Sequence, residues 1–166
     1  MADTAPLAVA SELLFREAAL LDRQDWDGWL ALYERDCVFW VPTWTGDHTL
    51  ARDPERELSH IYYATRSGLE DRVWRIRSGL SIASVPMPRT LHTVTNVRLA
   101  AASDAALDVE ANFSVDLFSL RDRTTHRLFG RYEHRLVARD GGWRVARKVA
   151  IVLNDYLPSV VDVYSV

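Results

Sequence analysis

Leu107-Asp108-Val109-Glu110-Ala111-Asn112-Phe113-Ser114-Val115-Asp116-Leu117 alternates without a break. Odd-numbered side chains are apolar and even-numbered ones are polar. A sustained period of two marks a strand with one face in a core and the other toward water. A strand this long needs long partners, and the flanking sequence supplies them. Upstream, Leu91, Thr93, Thr95, Val97 and Leu99 are expected on one face of a first strand. Downstream, Leu128, Tyr132, Leu136 and Ala138 alternate with Arg127, Arg131, Arg135 and Arg139. Arg139-Asp140-Gly141-Gly142 has the composition of a tight hairpin turn, and Trp143 to Leu153 reads as the fourth strand.

The first half is helical, then mixed. Ala10, Leu14, Ala18 and Leu21 recur at helical spacing, which predicts a helix over Leu7–Leu21 with one buried stripe. Asp25 is placed to cap a shorter helix carrying Trp26, Trp29, Leu30 and Tyr33. Cys37 to Val41 reads as a short buried strand opened by Asp36 and stopped by Pro42. Thr45 to Glu57 is polar and reads as a loop, and Leu58 to Ala64 as a strand. Ser67 and Glu70 have capping-box spacing ahead of Leu69, Val73 and Ile76, so a third helix is expected to about Arg77. Pro86 and Pro88 mark an irregular connection. No linker, repeat or low-complexity run divides the chain, so a single domain over 1–166 is expected.

Helices followed by a long antiparallel meander define an α+β arrangement in which the helices cover one face of the sheet. A strongly curved sheet of this kind, with N-terminal helices packed on it, resembles the cone of the nuclear transport factor 2-like proteins. That fold hosts enzymes, transport factors and structural subunits, so it leaves function open.

Composition removes several function classes. The formal net charge is −3, which gives no reason to expect nucleic acid. Residues 121–148 hold nine Arg or Lys against three acids. The neighbouring strand offers Asp108, Glu110 and Asp116, so cross-strand pairing or a subunit contact accounts for the arginines. There is no apolar run long enough to span a membrane and no basic, then apolar, leader, so a cytoplasmic location is expected.

Catalytic motifs are sparse. The sequence has a single cysteine, Cys37, so no thiolate cluster is possible, and the five histidines show no H-E-x-x-H spacing. No Gly-x-Ser-x-Gly elbow and no Gly-rich phosphate loop occurs. Counting leaves room for a facial triad of two His and one carboxylate, and one acid–base reading stands beside it: His60 and Tyr62 on one strand, with His92, Asn96 and Asp36, could perform general acid–base chemistry inside the cone.

Several blocks resemble a known family. Arg66-Ser67-Gly68-Leu69-Glu70-Asp71-Arg72-Val73-Trp74-Arg75-Ile76 is similar to the R-S-G-L-E-D-R-V-x-R-I block of small subunits of benzoate and anthranilate dioxygenases. Asn154-Asp155-Tyr156 and Val161-Asp162-Val163-Tyr164 resemble their N-D-Y…I-D-V-Y tail. Arg16-Glu17-Ala18 with Leu21-Asp22 resembles their R-E-A-x-x-L-D helix, with Trp29-Leu30 and Tyr33 following as in the family. Phe39-Trp40-Val41-Pro42 with Trp44 is similar to F-W-x-P-x-W, and Arg89, His92 and Asn96 to R-x-x-H-x-x-x-N. The likeness runs from about Leu13 to Val166 and fades over residues 99–123.

The resemblance implies the small (beta) subunit of an aromatic-ring-hydroxylating Rieske dioxygenase. Such a subunit carries no cofactor of its own. Its large (alpha) partner holds a Rieske [2Fe–2S] cluster and a mononuclear non-haem iron, NADH supplies electrons through a reductase, and three copies of each chain form an α3β3 hexamer. Interface candidates are then Trp44, Arg66, Glu70, Arg72, Arg75, Arg89, His92, Asn96, Asn154, Asp155 and Tyr156, with Trp40 and Trp74 as further apolar anchors and Glu70 alternatively a helix cap. The tail after Pro158 is expected to dock on its own domain or on a partner. Two other readings stay open: a stand-alone isomerase or dehydratase using His60, Tyr62 or His92, and a small-molecule-binding module.

Overall fold

The computed structural model describes residues 4–154 and 156–166. Helix α1 (Thr4–Asp22) is followed by α2 (Trp26–Leu30), then strands β1 (Tyr33–Pro42), β2 (Trp44–Gly46), β3 (Thr49–Leu50) and β4 (Ser59–Tyr63). Helix α3 (Arg66–Arg77) leads to the long strands β5 (Arg89–Ala102), β6 (Ala106–Ser119), β7 (Thr124–Arg139) and β8 (Gly142–Val152). Six strands form one sheet in the order β4-β1-β8-β7-β6-β5. The architecture is the expected α+β cone.

The sheet is mixed rather than wholly antiparallel. The meander β5 to β8 is antiparallel, but β1 runs parallel to β8, with Val38, Phe39 and Trp40 opposite Arg147, Lys148 and Val149. Strands β1 and β8 are separated in the chain by β2 to β7 and α3, a connection long enough to let them pair parallel. Strand β1 starts at Tyr33, so that residue belongs to the strand and not to α2. Asp25 caps α2 as expected, accepting a hydrogen bond from Gly28 N at 3.0 Å.

The inner face of β6 is as its alternation requires: Leu107, Val109, Ala111, Phe113, Val115 and Leu117 are all buried. On the outer face, Asp108 opposes Arg135 and Asp116 opposes Arg127, each with an ion pair. Glu110 opposes Glu133, and the repulsion is relieved sideways, Glu110 by Arg98 and Glu133 by Arg147. The β7–β8 turn uses positive φ at Gly141 (86°) and Gly142 (130°).

Three local expectations are corrected. On β5, Leu91 is 62% exposed and His92 is buried, so the inward face begins with Thr90, His92 and Val94. Register then shifts between Thr95 and Arg98, with Asn96 at φ 55°. The extra residue reverses the phase and brings Val97 and Leu99 onto the core. The capping box is not formed. Helix α3 begins after Thr65, inside which Ser67 already lies, and Glu70 instead binds Arg66 Nε at 2.8 Å one helical turn away. Residues 45–57 are not all loop. The β2–β3 ribbon folds over an outer apolar cluster of Trp40, Ala51, Val149 and Ile151.

Candidate functional site

The interior of the cone holds a charged cluster. Glu17 projects from the buried side of α1 and is 2% exposed. His134 on β7 and Lys148 on β8 are direct cross-strand neighbours, and both side chains are buried. Lys148 Nζ donates to Glu17 Oε1 at 2.9 Å and to the main-chain oxygen of Val166 at 3.2 Å. Tyr33 Oη donates to the same carboxylate oxygen. His134 Nε2 lies 3.3 Å from Glu17 Oε2. Lys148 also stands 4.5 Å above the ring of Tyr132 and 5.5 Å above that of Phe39, contacts that favour a desolvated cation.

The electrostatics follow from this geometry. Burial opposes ionisation of Glu17, but Lys148, then His134 and Tyr33, outweigh it and hold the carboxyl well below its ordinary value. Burial pushes His134 below its ordinary value of 6.5, against the pull of Glu17. An ionised carboxylate only accepts, so Nε2 of the neutral imidazole carries the proton. Its Nδ1 is buried with no hydrogen-bond partner among the described residues. Burial, then Glu17, raises Tyr33 well above 10. The hydroxyl therefore stays a donor.

A second pair closes the far end of α1. His92 Nδ1 lies 2.6 Å from Asp22 Oδ1, and the His92 backbone N–H donates to Oδ2 at 3.0 Å. Thr90 Oγ1 adds a third donor at 2.9 Å. Burial raises the Asp22 carboxyl, yet the His92 hydrogen bonds more than offset it and its pKa is lowered. His92 Nε2 is buried without a partner among the described residues. A carboxylate that orients an imidazole is the arrangement a general base requires, but here no hydroxyl or thiol stands at Nε2.

Other sequence candidates are dispersed. His60 and Tyr62 do not enter the cone. On β4 it is Ile61 that is buried, while Tyr62 packs on the outer cluster and His60 is exposed. Alternation decides this, since Ile61 takes the inner face and its neighbours take the other. Asp36 is exposed on β1. Cys37 is fully buried, and burial pushes its thiol up to about 11. Among the described residues, no three His, Cys, Asp or Glu side chains are grouped to hold a metal ion.

The interface candidates divide into two sets. Several are engaged within the chain. Trp44 Nε1 donates to Val152 O at 2.8 Å, and Arg66 binds Glu70 and Tyr33 O. Arg72 grips Asp162 with Nε at 2.8 Å and reaches Ser81 at 2.8 Å. Asn154 prolongs the β7–β8 ladder by accepting from Phe129 N at 3.0 Å and donating to Arg127 O at 2.9 Å. Arg75, Arg89, Asn96 and Tyr156 face outward, and Tyr156 is 80% exposed. Asp155 lies outside the described residues. The tail docks on its own domain, with Val161, Val163, Tyr164 and Val166 in the core.

Sequence reading missed Glu17, Lys148 and His134. The signal was a charged residue on an apolar stripe: 10, 14, 17 and 21 fit one helical face as well as 10, 14, 18 and 21 do.

This α+β cone, closed inside by its own acid, base and tail, defines a structural class that hosts both enzymes and assembly subunits. Comparison with known proteins narrows it. Residues 16–159 match the family model of the ring hydroxylating beta subunit. The chain is 40% identical to the 2-halobenzoate 1,2-dioxygenase small subunit of Burkholderia cepacia, over 92% of each chain. It is 38% identical to the anthranilate 1,2-dioxygenase small subunit of Acinetobacter baylyi, over 94% of each. The solved structure of the beta subunit of the benzoate 1,2-dioxygenase from Burkholderia mallei superposes with a TM-score of 0.79 at 33% identity, covering 96% of each chain. The chain belongs to the family of beta subunits of ring-hydroxylating dioxygenases.

Proposed function

We propose that the chain is the non-catalytic, structural small subunit of a multicomponent Rieske dioxygenase that dihydroxylates an aromatic carboxylate of the benzoate, anthranilate, halobenzoate or salicylate kind. Residues 1–166 form one cone-fold domain. Three copies join three large subunits in a cytoplasmic hexamer. The large subunit carries the Rieske cluster and the mononuclear iron, and NADH feeds them through a reductase.

The observation that carries this reading is a cone filled from within. The Glu17 carboxylate is taken up by Lys148, Tyr33 and His134 Nε2, and Val163 and Val166 in the tail are fully buried. A catalytic carboxylate needs an approach for substrate, and Glu17 has spent its oxygens on its own chain. The chain's donors do not fit a Rieske cluster, which takes two Cys and two His, because Cys37 is its single cysteine. No step of the reaction is assigned to these residues. Arg75, Arg89 and Tyr156, with the 62% exposed Trp74, supply the cations and aromatics that interfaces favour.

Co-expression with the large subunit followed by native mass measurement tests the proposal. The expected result is one species containing both chains in equal number. Separate species, together with turnover of a small aromatic or ketone by the lone chain that is lost in His92→Ala, would overturn it in favour of the isomerase reading.

A further inference from the structure

Charges on the outer face of the sheet are paired almost everywhere. Arg127 has Asp116, Arg135 has Asp108 and Arg98 has Glu110. A place where they are not is a cleft of about 480 Å³ between the β2–β3 ribbon and the outer face of β7 and β8. Its floor includes the buried Trp40, Val149 and Ile151, and its rim carries Arg52, Arg131 and Arg147. One carboxylate, Glu133, answers them, and it lies 3.6 Å from Arg147. The Arg131 side chain has neither a hydrogen bond nor an ion pair among the described residues, and its cross-strand neighbours, Asn112 and Ile151, are neutral. The Arg52 side chain makes no ion pair, although its field reaches Glu57. Three arginines among the lining residues, against the one lining acid Glu133, stand out on a chain whose net charge is −3.

We propose that this cleft docks a carboxylate-bearing segment of the large subunit, an inference that rests on the subunit assignment above. Charge complementarity selects the occupant. Arginine forks spread over β7, β8 and the ribbon suit several carboxylates held at fixed spacing, with aromatic floor area for the intervening side chains. A small carboxylate bound tightly would need most of its surface enclosed, and Arg147 and Glu133 side chains here are 43% and 48% exposed. A second copy of this chain fits less well. Face to face it would set arginine on arginine. Among the described residues, its own acids without an ion pair are scattered and include Glu12 on α1, Asp36 on β1, Asp47 at the ribbon tip, Asp71 on α3, and Asp104 and Asp140 at two hairpin tips.

The test co-expresses the full chain with the large subunit and compares wild type with Arg131→Glu/Arg147→Glu, and with Arg23→Glu, in the turn after α1, as control. Melting curves of each lone chain check folding, and Arg131→Gln serves as a milder variant if the double change does not fold. The expected result is at least a tenfold loss of mixed oligomer in the double variant, a smaller loss in Arg131→Gln and none in the control. Wild-type assembly should weaken with added salt. Full assembly of the folded variants would overturn the inference and leave the subunit assignment standing. Failure of wild type to assemble would remove both. A rise in the melting temperature of the lone chain with benzoate, abolished by Arg131→Gln, would overturn it by making the cleft a small-carboxylate site.

Discussion

Glu17 faces the core between Leu14 and Leu21, where a carboxylate left to itself would take up a proton. Its ionisation depends on Lys148, His134 and Tyr33 together. Glu17→Gln leaves a buried ammonium without its counter-charge, and urea unfolding should show a loss of about 3–5 kcal/mol, the range for a broken buried pair. Glu17→Leu combined with Lys148→Met should recover most of that loss, because apolar replacement of a whole pair is often neutral. Protonation equilibria give a second test. Glu17 is depressed in the folded state, so its stabilisation is complete above its ordinary value of 4.5 and is lost as pH falls below it. His134 is also depressed, and below 6.5 the unfolded chain binds the proton first, so stability again falls on acidification. The melting temperature should therefore decline in two stages, below about 6.5 and below about 4.5. His134→Gln should flatten the first stage and Glu17→Gln the second. An unchanged profile in both would sink this account of the interior.

At the scale of elements, alternation told most where strands are regular. Strand β6 and the meeting of its acids with the arginines of β7 were legible from sequence because a period of two fixes both faces at once, while the register that selects Asp108–Arg135 and Asp116–Arg127 came from the structure. Strand β5 was not, because a bulge at Asn96 reverses the pattern halfway and Asn alone does not announce a left-handed residue. That bulge yields a prediction. Asn96→Val forces a β-branched residue to φ 55° and should cost about 1–3 kcal/mol, whereas Asn96→Gly should be close to neutral. Equal stability of the two variants would mean that the bulge relaxes. Gly130 marks another constraint. A Cβ there would stand 1.9 Å from Ile151 O, so Gly130→Ala should pry β7 from β8. Faster hydrogen exchange at the Val152 and Leu153 amides would report it.

For the whole molecule, the cone could be inferred from helices followed by long strands, and so could docking of the tail, but the parallel β1–β8 seam and the Glu17–His134–Lys148 cluster could not. Both depend on contacts between segments more than 100 residues apart, such as Tyr33 with Val145 and Glu17 with Lys148. The tail covers that cluster through Val166 O, which accepts from Lys148. Arg72 holds Asp162, which caps the final turn through Val163 N at 2.8 Å. Asp162→Ala should expose the Val163 and Ser165 amides to exchange while the sheet stays protected. Of the residues the family likeness marks, Arg72, Asp162 and His92 turn out to brace the chain itself, whereas Arg75, Arg89 and Tyr156 face outward. The central claim is that this chain builds the complex without taking part in its chemistry. Steady-state turnover of benzoate by the reconstituted complex, with His92→Gln in the small subunit and the oligomer verified intact, tests it most directly. The account predicts a kcat per large subunit within about twofold of wild type. A fall of about 10²–10⁴-fold, the size expected for loss of a general base, would contradict it.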